Sequence, residues 1–213
     1  MSALTAPALQ RFVVATVALM FVAHIVALFM SGASAMSTPI SQLSRGNAAW
    51  LHTSGLCVLA AGWVALAMLL ARCGDGSLFW RIGCGLAALN AALMLFVAAY
   101  FLLANDVRLF GPNANDPLAV LASNVGVVMG MLQFGLRRMA PKVAWLNLLI
   151  FVIWMALVPV IPFIDASWLG AYERTVGSIM LLWMGLLALA APRFPRTATK
   201  TASAQSAPTS ATQ

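Results

Sequence analysis

Few residues in this chain could do chemistry. It has two histidines, His24 and His52, and one adjacent acid–base pair, Glu173-Arg174. A hydroxyl-rich stretch, Ser37-Thr38-Pro39-Ile40-Ser41-Gln42-Leu43-Ser44-Arg45, precedes the second histidine. Each residue type suggests a chemistry and sets its own condition. A bis-imidazole haem needs the two rings facing each other on adjacent helices at equal depth. An intramembrane zinc hydrolase needs about three histidines and an acid, so carboxylates would have to complete the set. Ser37 or Ser41 with His52 would make a serine–histidine pair, but no nucleophile elbow or oxyanion motif accompanies them. Cys57, Cys73 and Cys84 lack the CxxC spacing of a structural zinc site. The residues point to no cofactor and no metal. What they do offer is a guanidinium, carboxylates and hydroxyls, which suit binding.

The elements that must position these residues are set by composition. Of 213 residues, 62% are hydrophobic and 8% charged, against roughly 25% charged in soluble domains. A surface so poor in charge needs lipid as its solvent. The net charge of +7 is scattered between apolar runs rather than gathered on one face, which argues against a nucleic-acid partner. A bilayer core takes about 20 apolar residues per helix. Six runs qualify: 12–30, 51–71, 82–104, 118–136, 143–162 and 172–191. The predicted fold is all-α, a polytopic antiparallel bundle of six transmembrane helices in residues 1–192, with a disordered tail over 193–213. The tail is mostly Ala, Ser, Thr and Pro and cannot bury a core.

Charge sets the expected sidedness. The N-terminal segment, second gap, fourth gap and tail hold Arg11, Arg72, Arg81, Arg137, Arg138, Lys142, Arg193, Arg196 and Lys200, against one acid, Asp75. The remaining gaps hold Arg45, Arg108 and Arg174 with Asp106, Asp116, Asp165 and Glu173. The two sides carry +8 and −1, so the positive-inside rule puts both termini in the cytoplasm of a bacterial inner membrane. A cleavable signal peptide is the competing reading of the first run, since Ala33-Ser34-Ala35 follows it. Its apolar stretch is longer than an ordinary h-region.

With this frame, His24 lies about 9 Å below the outer end of the first span, six residues at 1.5 Å each. His52 opens the second span at the outer surface, and Asn124 sits in the outer third of the fourth. The first loop is too poor in charge for a solvated loop. Its hydroxyls are expected to cap a short helix or bond backbone against the bundle, with Trp50 as an interfacial anchor. Glu173 falls in the first turn of the last span, where the helix dipole favours an acid. Arg174 is expected to pair with Asp116 or Asp165. Asn90, Gln133 and Asn147 belong to the inner half of their spans as interhelical hydrogen-bonding groups. Gly126 and Gly130 should admit a neighbouring helix closely. Pro159 and Pro162 should kink or end the fifth span.

The order of these features resembles the bacterial membrane family known as domain of unknown function nine-nine-eight. The likeness is carried by Ser37, Pro39, Ile40, Ser41 and Leu43, then Trp50, Phe110, Pro112, Asp116-Pro117 and Glu173-Arg174, and covers roughly residues 10–192. It implies six helices and an integral membrane location, and no established reaction. That family often has a histidine early in the fourth span. This chain has Asn124 there, which puts any metal or proton-transfer role of that position in doubt.

The expected function is therefore non-enzymatic. An outward-facing pocket built from Ser37, Ser41, Arg45, His52, Asp116, Asn124, Glu173 and Arg174 would take a lipid headgroup, a small amphiphile or a partner membrane protein. A lipid-modifying hydrolase using His52 and an outer-face acid is the alternative. A small transporter is a further one, although no span centre carries a charge and ion coupling normally needs one.

Overall fold

The computed structural model describes residues 5–44, 46–103 and 116–194, with backbone alone at 102–103 and 116–117. All of its regular structure is helical. The elements are α1 (Ala6–Ser31), a short α2 (Ile40–Leu43), α3 (Ala49–Cys73), α4 (Leu78–Leu103), α5 (Asp116–Met139), α6 (Pro141–Leu157) and α7 (Leu169–Ala190). Six helices are long and apolar enough to cross a membrane. They extend the predicted apolar runs by a few residues at most ends, because terminal turns tolerate polar groups. Arg72 closes α3, and Arg137 and Arg138 close α5, where cations meet the negative end of the helix dipole. Pro residues stand in the first turns of α1 and α6, where no intrahelical N–H is needed. Gly32, at φ 63°, ends α1 in the left-handed conformation.

At Val158 the sixth helix tightens into a 3-10 helix running to Phe163, with Pro159 and Pro162 inside it. The prolines change the winding and end the α-helical part of the span, as expected of residues without an N–H. At the other end of the chain, ordered structure passes the expected boundary at residue 192. Ala191–Arg193 adds one 3-10 turn to α7, and Phe194 is buried with its ring 6.1 Å from that of Trp80. The expected disordered tail otherwise falls at 195–213, outside the described residues, as do Arg45, Arg108, Phe110 and Pro112.

The long helices pack in the order α1, α3, α4, α5, α6, α7, and α7 closes back onto α1. Helix α3 is the most enclosed, with 61% of its span buried, whereas the span Pro141–Phe163 has only 17% buried and lies at the periphery. Large apolar side chains such as Phe29, Trp145 and Phe163 face outward, the inverse of a water-soluble surface. Lipid gives helices no hydrophobic reason to associate, so close packing and hydrogen bonds must hold the bundle. Close packing is strongest between α1 and α3. A Cβ on Gly55 would lie 2.9 Å from Met20 Sδ and 3.1 Å from Ala23 Cβ, and one on Gly62 would collide with Thr16 Oγ1. Of the expected pair, Gly126 lets α6 approach closely, since an added Cβ would lie 3.3 Å from the Trp154 ring and 3.5 Å from Met155 Sδ, whereas one on Gly130 would meet Phe151 at an ordinary 3.7 Å.

Hydrogen bonds tie the other helices. Asn147 of α6 donates to Met129 O at 3.0 Å and Gln133 Oε1 at 2.8 Å on α5, and accepts from Trp183 Nε1 of α7 at 2.8 Å. One buried amide thus joins three helices. Trp80 Nε1 donates to Leu70 O and Trp154 Nε1 to Ala122 O, each at 2.9 Å. Arg138 and Asp75, 3.8 Å apart, link the α5–α6 and α3–α4 connections.

Candidate functional site

One end of the bundle is closed by the segment between α1 and α3. Leu43 is fully buried, Ser44 nearly so, and Ser41 is buried, whereas residues 34–37 are exposed, so the second half of this segment packs into the bundle as a plug. Four hydrogen bonds hold it to the first two turns of α7. Ala171 N donates to Met36 O at 2.8 Å. Arg174 Nη1 donates to Ala35 O and Thr38 O, both at 2.8 Å. Ile40 N donates to Glu173 Oε2 at 2.6 Å. Gly170 makes the approach possible, since a Cβ there would collide with Thr38 O and lie 2.9 Å from Met36 O.

These contacts revise several expectations. No hydroxyl caps α2. Its N-cap is Pro39, without a side-chain bond, and Glu173 receives its first N–H instead. Helix α7 begins at Leu169, so Glu173 lies beyond the first turn and is held by that contact rather than by the helix dipole. Arg174 makes its hydrogen bonds to backbone carbonyls and forms no ion pair with an acid among the described residues. Asp165 accepts from Ser167 N at 2.8 Å and Ser167 Oγ at 2.6 Å, and these bonds hold its exposed carboxyl below the ordinary range. Asp116 opens α5, and its side chain lies outside what is described.

His52 is not at the surface. It is the fourth residue of α3 and fully buried beneath the plug. Its Nδ1 is 2.7 Å from Ser44 Oγ, and its ring is 5.5 Å, centroid to centroid, from that of His24, at 61°. The two histidines therefore do meet, which counting residues from span ends did not reveal. The serine beside His52 is Ser44, not Ser37, which is exposed, nor Ser41. Ser44 is buried and does not line the cavity described next, so it orients the imidazole and is not placed to attack a substrate. The Nε2 atoms of both histidines are buried without a hydrogen-bond partner among the described residues. Among those residues, no three His, Cys, Asp or Glu side chains converge as metal ligands do.

Below the plug lies a cavity of about 170 Å³, a little larger than the ~150 Å³ cavities that admit a benzene-sized molecule. Its walls are apolar and include Leu59, Met94, Ala122, Trp154, Met180 and Leu181. Its ionisable lining is His24, Glu173 and Arg174, with Tyr172 beside them. The Tyr172 hydroxyl donates to Leu157 O, a carbonyl where α6 gives way to the 3-10 helix. Glu173 and Arg174 each have one part engaged by the plug and another left over. Glu173 Oε1, Arg174 Nε and Arg174 Nη2 are buried without hydrogen-bond partners among the described residues.

Of the residues expected to form the pocket, Glu173 and Arg174 line it, and His52 stands behind His24. Ser41 is buried in the plug and is not part of the wall, and Ser37 faces outward. Asn124 is not part of it either. Its Nδ2 donates to Asn90 Oδ1 at 2.7 Å and Leu86 O at 3.1 Å, clamping α5 to α4. Asn90 and Asn124 therefore meet at one depth, rather than lying in opposite halves of the bundle.

No family model matches the chain, and no curated protein or solved structure matches it. The site's own chemistry is what remains to be read. It has apolar walls and, among the described residues, a guanidinium with one edge unpartnered, a carboxylate with one oxygen unpartnered, and an imidazole.

Proposed function

We propose that this chain is an integral protein of the bacterial inner membrane, an antiparallel six-helix bundle with both termini in the cytoplasm. Its role is non-enzymatic, and its outward-facing cavity holds the headgroup of a membrane amphiphile. The observation that carries this reading is that one apolar cavity receives Glu173 and Arg174 together at its plugged end. Charged groups within a membrane protein are costly and persist where they serve a site. The charge asymmetry between alternate gaps supports the sidedness. Of the residues that carry the likeness to domain of unknown function nine-nine-eight, Ile40 of the first loop and Glu173 of the last span meet in one plug contact. A partner membrane protein in place of lipid has no observation of its own. The hydrolase reading, which needs His52 and an outer-face acid on one substrate, is disfavoured because His52 is fully buried and does not line the cavity.

The test is lipid retention. Native mass spectrometry of the purified protein is expected to show bound lipid that Ala119→Trp, which fills the cavity, displaces. Identical lipid adducts on the wild type and this variant would refute the pocket.

A further inference from the structure

We infer that the ligand of this cavity is a phosphodiester amphiphile whose headgroup also carries a hydrogen-bond donor. This rests on the lipid-pocket reading above and narrows it. Arg174 uses only Nη1 for the plug carbonyls. The edge left over, Nε with Nη2, is the edge of a guanidinium that receives two oxygens of one phosphate or carboxylate in parallel. Both nitrogens are buried and unpartnered among the described residues, so the edge is left for an anion that no described residue supplies.

The second requirement comes from Glu173. Its Oε2 is taken by Ile40 N–H, while Oε1 is buried with no donor among the described residues. A carboxylate so close to the anion site repels a bare anion. It welcomes a headgroup that brings an N–H or O–H next to its phosphate, and His24, whose Nε2 is also unpartnered among the described residues, lines the same cavity. The cavity volume suits a headgroup and the start of a chain, not a whole lipid. Its apolar walls match acyl methylenes. Phosphate on Arg174 and ammonium or hydroxyl on Glu173 satisfy all the leftover valences of the pair at once.

The experiment compares lipids differing in one feature, in nanodiscs or by native mass spectrometry of the full chain. Phosphatidylethanolamine and phosphatidylglycerol are expected to bind roughly tenfold or more tightly than phosphatidylcholine, whose methylated ammonium has no N–H, and than diacylglycerol, which has no phosphate. Glu173→Gln keeps an oxygen for Ile40 N–H but puts an amide NH2 where Oε1 stood. It should erase the preference for ethanolamine over choline while binding of both persists. Arg174→Lys should lower affinity for every phospholipid by about tenfold through loss of the two-pronged edge. Equal wild-type binding of phosphatidylethanolamine and phosphatidylcholine would overturn the inference yet leave the lipid pocket standing, whereas loss of all lipid binding would overturn both. Competition by soluble glycerophosphoethanolamine as strong as by the lipid would overturn the assignment to an amphiphile.

Discussion

Glu173 Oε2 lies 2.6 Å from the backbone nitrogen of Ile40. A carboxylate on the last long helix thus caps the short helix of the first loop, in place of the side chain that Pro39 cannot offer. The contact is part-buried, so its removal leaves an N–H without its partner where water reaches poorly. Glu173→Leu is expected to destabilise the protein by about 1–3 kcal/mol. Thermal unfolding in detergent would measure it, and a midpoint unchanged from wild type would contradict the capping role.

Gly170 admits the plug onto α7, since any Cβ there meets Thr38 O. Gly170→Val should displace residues 35–40 while the six long helices stay folded. Hydrogen exchange would register this as lost protection at Ile40 and at Ala171, whose N–H bonds Met36 O. Unchanged exchange at both amides would count against the plug contact.

Asn147 and Asn124 offer a contrast in weight. Asn147 links α5, α6 and α7 through three hydrogen bonds, so Asn147→Leu orphans the Trp183 indole and the Gln133 carbonyl and should cost about 2–3 kcal/mol. Asn124→Ala breaks an α4–α5 clamp and should cost nearer the ~0.6 kcal/mol usual for interhelical bonds in membranes. Unfolding by sodium dodecyl sulfate titration would rank the two. The reverse order would show that Asn147 is not the hub.

Arg138 and Asp75 stand 3.8 Å apart with Arg138 largely in the open. Such pairs are worth little. Arg138→Ala should shift stability by less than about 0.5 kcal/mol, measured in the same titration.

Sidedness has its own test. In a cysteine-free background, Ser37→Cys, at an exposed position of the plug, should react with a membrane-impermeant maleimide from the periplasmic side. Thr201→Cys in the tail should not. Labelling of both from the same side would exclude the proposed topology.

The six long helices were legible because lipid imposes one rule on every span, length and apolarity, and the sequence obeys it six times. Glu173 and Arg174 were legible because charges at the edge of an apolar run stand out. What they touch was not. Backbone carbonyls carry no sequence signature, so the sequence offers Arg174 only acids, whereas its partners among the described residues are Ala35 O and Thr38 O. His52 was placed at the surface because residue counting assumes that a span's first turn meets water, and the plug covers it. Asn124 was read as part of a pocket because depth along a helix says nothing about which face it occupies. Ser44 had no mark distinguishing it from Ser37 and Ser41, since its eight-residue separation from His52 acquires meaning only when the chain turns back.

The plug bears on how this molecule is made. Its segment leaves the ribosome early, yet every α7 partner that holds it arrives late, with 133 residues between Ile40 and Glu173. At translation rates of about 5–20 residues per second, the first loop waits roughly 7–27 seconds for its partners. The cavity's polar end thus cannot assemble until the start of α7 has been made, and a docked plug reports that Glu173 and Arg174 have reached the first loop.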